Sequence, residues 1–150
     1  SVTCAPGMRS SRATVAAGDI PRRTGVGFSP GESRRDVVVS GAMPREIRVF
    51  DVVAGGTALA SGRVFINTGA GIPDGLRCDT DGNLWCGWGG GEGLDGVAVY
   101  NPDARLIGRI LLPERCANLC FGGAKRNRLF LAASQSLYSI FVNTQGVAGG

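Results

Sequence analysis

Three polar residues stand at matching places ahead of short apolar runs: Thr24 in Arg23-Thr24-Gly25, Asp74 in Pro73-Asp74-Gly75, and Asn118 in Asn118-Leu119-Cys120. Oxygen donors that recur in this way are candidates for holding a cation or a small ligand, and a carboxylate among them is also a candidate acid or base. The chain has no histidine, which removes the serine and cysteine arrangements that use imidazole as base. Carboxylates, metal-bound water and tyrosine remain. Asp74 is the sharpest of these. Two readings of it stand open: a carboxylate facing a ligand, or the solvated side chain of a Pro-Asp-Gly turn.

Other chemistry-bearing patterns lose their chemistry on inspection. Gly91-Glu92-Gly93-Leu94-Asp95-Gly96 matches the dinucleotide fingerprint formally. That motif needs a strand feeding a helix N-terminus, and here Val97-Ala98-Val99-Tyr100 continues as a strand, so the segment reads as a hairpin loop over one mouth of the fold. Asp79, Asp81 and Asn83 resemble the opening of a calcium loop, but the position that would carry its bidentate glutamate is Gly90. Asp81-Gly82 is read instead as a hairpin turn. The cysteines, at positions 4, 78, 86, 116 and 120, are odd in number and follow no bridging framework. Cys116 and Cys120 lack the tight ligand pairs of a zinc site. Cys78, Cys86 and Cys120 are expected to pack in strands as small apolar residues. Reduced cysteines point to the cytoplasm, with a processed periplasmic chain as the alternative.

The elements that must position Asp74 follow from the repeat. The copies start roughly 45 to 50 residues apart, the period of a four-stranded propeller blade, and each is followed by strand-like runs separated by turns. The first unit has runs at 35–40, 46–51 and 62–66, the second at 83–87, 96–100 and 106–112, and the third at 128–133 and 136–142, with no fourth. No apolar stripe keeps helical spacing for three turns. The expected fold is all-β, with three propeller blades at about 24–66, 74–112 and 118–142 within 21–150, after an irregular segment or blade remnant at 1–20. In a propeller the innermost strand of each blade begins at one mouth of the central channel, which is where Asp74 would face.

Composition suits that fold and narrows the partners. With 25 glycines and 7 prolines in 150 residues at 43% hydrophobic content, the chain is turn-dense and globular. No run approaches the roughly 18 apolar residues of a membrane span. The net charge of +4 is carried almost wholly by scattered arginines, without the basic stripe and aromatics of a nucleic-acid surface.

From about residue 44 onward, and less closely from Gly25, the chain resembles the C-terminal half of the gluconolactonases of the senescence marker protein-30 (regucalcin) family. The segments that carry the likeness are Pro44-Arg45-Glu46-Ile47-Arg48-Val49-Phe50-Asp51-Val52, Ile72-Pro73-Asp74-Gly75-Leu76-Arg77-Cys78-Asp79, Asp81-Gly82-Asn83-Leu84-Trp85-Cys86-Gly87-Trp88-Gly89, and Leu112-Pro113-Glu114-Arg115-Cys116-Ala117-Asn118-Leu119-Cys120-Phe121-Gly122-Gly123. A further stretch is Leu129-Phe130-Leu131-Ala132-Ala133-Ser134-Gln135-Ser136-Leu137-Tyr138. The resemblance implies a six-bladed propeller of which about half is present, and hydrolysis of a sugar lactone. It also implies one divalent cation, Ca²⁺ first and Zn²⁺, Mn²⁺ or Mg²⁺ as alternatives. Asp74 matches the family's metal-binding aspartate, which also serves as base. Thr24 stands where the family has the asparagine of Pro-Asn-Gly, a shorter oxygen donor. The family's glutamate ligand has no counterpart, so the chain is expected to be inactive alone. The rival expectation is a non-catalytic interaction module that pairs with a second half-propeller or with another copy of itself, and a non-functional remnant is a third.

Overall fold

The structure is a computed structural model that describes residues 23–30, 36–41, 45–54 and 58–147, with backbone alone for 23, 24 and 36–41. The segment at 1–20 expected to be irregular lies outside the described residues. Strands are β1 (Arg23–Phe28), β2 (Asp36–Gly41), β3 (Glu46–Val53), β4 (Ala58–Asn67), β5 (Ile72–Cys78), β6 (Leu84–Gly89), β7 (Gly96–Tyr100), β8 (Leu106–Leu111), β9 (Cys116–Gly122), β10 (Arg128–Ala133) and β11 (Leu137–Phe141). They form antiparallel meanders: a first sheet β1-β2-β3-β4, a second β5-β6-β7-β8 and a third β9-β10-β11. No helix occurs among the described residues, and the fold class is the all-β one read from the repeat.

The sheets stack face to face. Between the first and second lie Ile47, Val49 and Ile66 against Leu76, Leu84, Cys86, Trp88, Ala98 and Tyr100. Between the second and third lie Val97 and Val99 against Cys116, Leu119, Leu129 and Leu131. Every residue of β7 is therefore buried, because its two faces meet two different sheets. Val97 and Val99 face the third sheet while Ala98 and Tyr100 face the first, so both alternating sets of β7 are core.

The first strands of the three sheets lie side by side, with β5 flanked by β1 and β9. Glycines set how close they come. A Cβ on Gly27 of β1 would stand 2.6 Å from Leu76 Cδ1 and would need that side chain to move, while one on Gly75 would overlap Asn118 Oδ1 and meet its Cα at 2.9 Å, so Gly75 excludes a side chain. Residues at the same stage of β1, β5 and β9 are therefore neighbours, and their starts share one end of the stack.

The other end is closed by local chemistry. Asp79 is fully buried, and its carboxylate accepts from Asp81 N and Asn83 N on Oδ1 and from Asn83 Nδ2 and Trp85 Nε1 on Oδ2, all at 2.8–3.0 Å. Gly82 takes φ +83° in the resulting turn. After β11 the chain returns here: Gly146 bridges Asp79, and Val147 N donates to Cys78 O at 3.2 Å.

Candidate active-site mouth

Asp74 is the third residue of β5. Pairing with β6 holds at Ile72–Gly89 and Pro73–Trp88, then shifts before resuming at Leu76–Cys86. The shift is a bulge that takes Asp74 and Gly75 out of the ladder and re-aims the carboxylate. Across the gap from Gly75 is Asn118, third residue of β9, whose Oδ1 accepts from Leu119 N at 2.9 Å. Asp74 and Asn118 are thus brought to one end of neighbouring inner strands. Thr24 has its backbone in β1, where the register shifts between Arg23 and Gly25. Its side chain lies outside the described residues.

The Asp74 side chain is 17% exposed and has a partner that the sequence does not advertise. Arg115 Nη2 donates to Asp74 Oδ2 at 2.6 Å across 41 residues of chain. Arg115 sits just before β9, and its carbonyl is pinned by Ser134 N at 3.0 Å. Its aliphatic stem crosses Gly89, where a Cβ would stand 2.7 Å from Arg115 Cδ. The signal that marks it is position alone: a permanently charged residue three places ahead of Asn118, in the third copy of the phrase.

Two thiols lie beneath. Cys86 Sγ approaches Asp74 O at 3.8 Å, and Cys116 Sγ approaches Asn118 O at 3.3 Å. Burial pushes the Cys86 thiol up to about 12 and the Cys116 thiol up to about 11, with the Asp74 charge adding to both. Both are neutral thiols at pH 7, which are poor nucleophiles and poor metal ligands. Cys120, expected to be buried in its strand, is exposed, and Cys116 is the enclosed one. The reason is register: Cys120 pairs with Phe130, which turns away from the second sheet, whereas Leu119 and Leu131 turn toward it.

The glycine-rich loop after β6 stands at the Asp74 end, because Gly89 pairs with Ile72. It is held by the Asp95 carboxylate, which accepts from Gly90 N and Gly91 N at 2.9 and 3.0 Å. Beside the inner strands is a cleft of about 290 Å³ lined by Arg77, Asn118, Cys120, Phe130 and Leu137.

The described residues do not by themselves fit a divalent cation. A calcium ion takes about six to eight oxygens, and among the described residues no three of His, Cys, Asp and Glu converge. Asp74 Oδ2 already faces a guanidinium that cannot lose its charge. Asp79, a fully buried carboxylate, has both oxygens committed to protein donors.

Residues 7–135 match the profile of the SMP-30/Gluconolactonase/LRE-like region. A protein of Zymomonas mobilis named gluconolactonase is 29% identical over 136 residues, covering 85% of this chain and 36% of its own length. The solved structure of a gluconolactonase from Xanthomonas campestris superposes with a TM-score of 0.70 at 32% identity, covering 83% of this chain and 39% of that one. The regucalcin of Agrobacterium tumefaciens, described as a calcium-binding protein, shares the fold at a TM-score of 0.73 and 20% identity, covering 85% of this chain and 48% of that one. This chain thus spans less than half the length of each of these proteins.

Proposed function

Because the chain belongs to the SMP-30/gluconolactonase/LRE-like family, we propose that its three sheets are part of a β-propeller that hydrolyses a sugar lactone, with Asp74 as the general base. The observation that carries the reading is the bulge on β5, which presents a half-buried carboxylate at the shared end of the inner strands. In this scheme Asp74 takes a proton from water as the water oxygen attacks the lactone carbonyl carbon. The tetrahedral intermediate then breaks its ring C–O bond, and the leaving alkoxide takes the proton back from Asp74. The products are a carboxylic acid, ionised at neutral pH, and a hydroxyl on one open chain.

The site needs more than this chain. One divalent cation, Ca²⁺ first, with Asp74 and Thr24 among its oxygens, belongs to our reading of the completed site only; most of its ligands would come from blades outside the sequence, and Arg115 would have to leave Asp74. The isolated chain is therefore expected to show no glucono-lactone hydrolysis above buffer in a pH-stat, with or without Ca²⁺, Zn²⁺ or Mn²⁺. Metal-dependent turnover that disappears in Asp74→Ala would overturn the incompleteness. The second reading, an interaction module, draws on the outer face of the third sheet, where Leu137 and Phe141 are 74% and 69% exposed. A blade interface of this kind is required by both readings.

A further inference from the structure

We propose that Arg115 is a tethered counter-cation that occupies Asp74 in exclusion of a divalent metal, so that metal binding at this carboxylate requires Arg115 to be displaced. The inference rests on the reading of Asp74 as a site residue, but its test reads metal binding and not turnover.

The pair is built into the fold at several points. Arg115 leaves the backbone at the entry to the third sheet, where Ser134 fixes its carbonyl through N–H at 3.0 Å and through Oγ at 3.4 Å. From there the stem lies over Gly89 at the end of β6, where a Cβ would stand 2.7 Å from Arg115 Cδ and 2.8 Å from Cγ. Arg115 Nε is enclosed without a hydrogen-bond partner, so that end of the guanidinium is committed by packing while Nη2 meets Asp74 Oδ2. Charge-assisted pairs at this distance are the strong ones. A guanidinium also keeps its charge at any pH the protein tolerates. An incoming M²⁺ would therefore meet one carboxylate whose charge is already compensated and a positive group at contact distance. Both effects oppose it.

Glycine at 89 gives a way to move the guanidinium without deleting it. In Gly89→Ala the new Cβ falls against Arg115 Cδ, and the flexible stem must shift away. Charge remains while the geometry is lost.

The experiment measures free Mn²⁺ by electron paramagnetic resonance in titrations of the 150-residue chain and its variants, with near-UV circular dichroism as a fold check. Arg115→Met should bind Mn²⁺ at least tenfold more tightly than wild type, Arg115→Lys should fall between them, and Gly89→Ala should gain by a smaller factor. Adding Asp74→Asn to Arg115→Met should abolish the gain. Equal affinity in wild type and Arg115→Met, including binding too weak to measure in both, overturns the proposal, as does a gain that persists without Asp74. If Arg115→Met does not fold, Arg115→Gln is read by the same criteria. Failure here would leave lactone hydrolysis through Asp74 untouched, whereas failure of hydrolysis would leave the competition for Asp74 intact.

Discussion

The second and third sheets are built from similar strands but live in different surroundings. In the second, β6 and β7 are sandwiched, and Trp88 and Val97 are each almost wholly enclosed. In the third, Leu129 and Leu131 of β10 face the second sheet and are buried, while Arg128, Phe130 and Ala132 turn the other way. Through the register, Phe130 stands beside Cys120 and Ser139 on that open face, and Arg128 lies over the rings of Phe130 and Phe141 at 5.1 and 5.4 Å. A strand does not decide how much of itself is buried; its neighbours do. Sequence alternation records one covered face and is erased when both are covered.

The contrast breaks first at Trp88. Its ring packs 5.8 Å from Tyr100 with Arg109 on its face, between the first and second sheets. Trp88→Ala should cost about 3–5 kcal/mol, read as a fall in the urea midpoint at unchanged slope. A loss under about 1 kcal/mol would mean that the second sheet is not enclosed as described.

Asp79 comes next, because it fastens the second sheet's first turn and the returning C-terminal segment. Asp79→Ala strands four donors at once and should cost about 3 kcal/mol. Protease sensitivity near residues 79–85 is the second readout. Asp79→Asn keeps the acceptor role of one oxygen only and should lose less.

The enclosed thiols give the pH behaviour. Burial raises Cys78 and Cys86 from 9.0 to about 12 and Cys116 to about 11. A folded-state value above the unfolded one means that unfolding releases protons at high pH. This contribution is fully present below about 9 and is lost as pH rises through 11 to 12. Stability should therefore fall in that alkaline window by about 1.4 kcal/mol per pH unit for each such thiol. Cys86→Ala should make the fall shallower in denaturation curves at pH 8.5, 9.5 and 10.5, and an unchanged slope in that variant would mean that the Cys86 thiol is not enclosed as described.

The smallest effect belongs to the open face. Leu137→Ala should change the isolated chain's stability by no more than about 0.5 kcal/mol, although leucine is apolar and lies in a strand. A loss of 2 kcal/mol or more, of the order of a core leucine, would show that something covers this face.

What was legible in the sequence follows the same division. The repeat phrase and the turn residues carry the meander, so the strands around Asp74 could be read directly. Asp74 was marked by its place ahead of an apolar run, but the strand begins two residues earlier and holds Asp74 as its third residue. The burial of both faces of β7 was not legible, since Ala98 and Tyr100 are core only because another sheet arrives on their side. The exposure of Cys120 and the enclosure of Cys116 were not legible either: four residues apart they would share a face of a regular strand, and the register shift between Asn118 and Cys116 turns Cys116 to the covered side. Arg115 was hidden more deeply. Its pairing with Asp74 joins two sheets, and its route depends on a glycine at 89 and a serine at 134, neither of which looks related to it in sequence.

The central claim is that Asp74 moves the proton in a lactone hydrolase site completed by other blades. The direct measurement is pH-stat hydrolysis of glucono-lactone by a chimera in which residues 23–147 replace the matching segment of the Zymomonas mobilis gluconolactonase, compared with its Asp74→Asn variant. The account predicts turnover by the chimera that falls at least about 100-fold in the variant, with the fold preserved by circular dichroism. An active chimera whose turnover is unchanged by Asp74→Asn would contradict it.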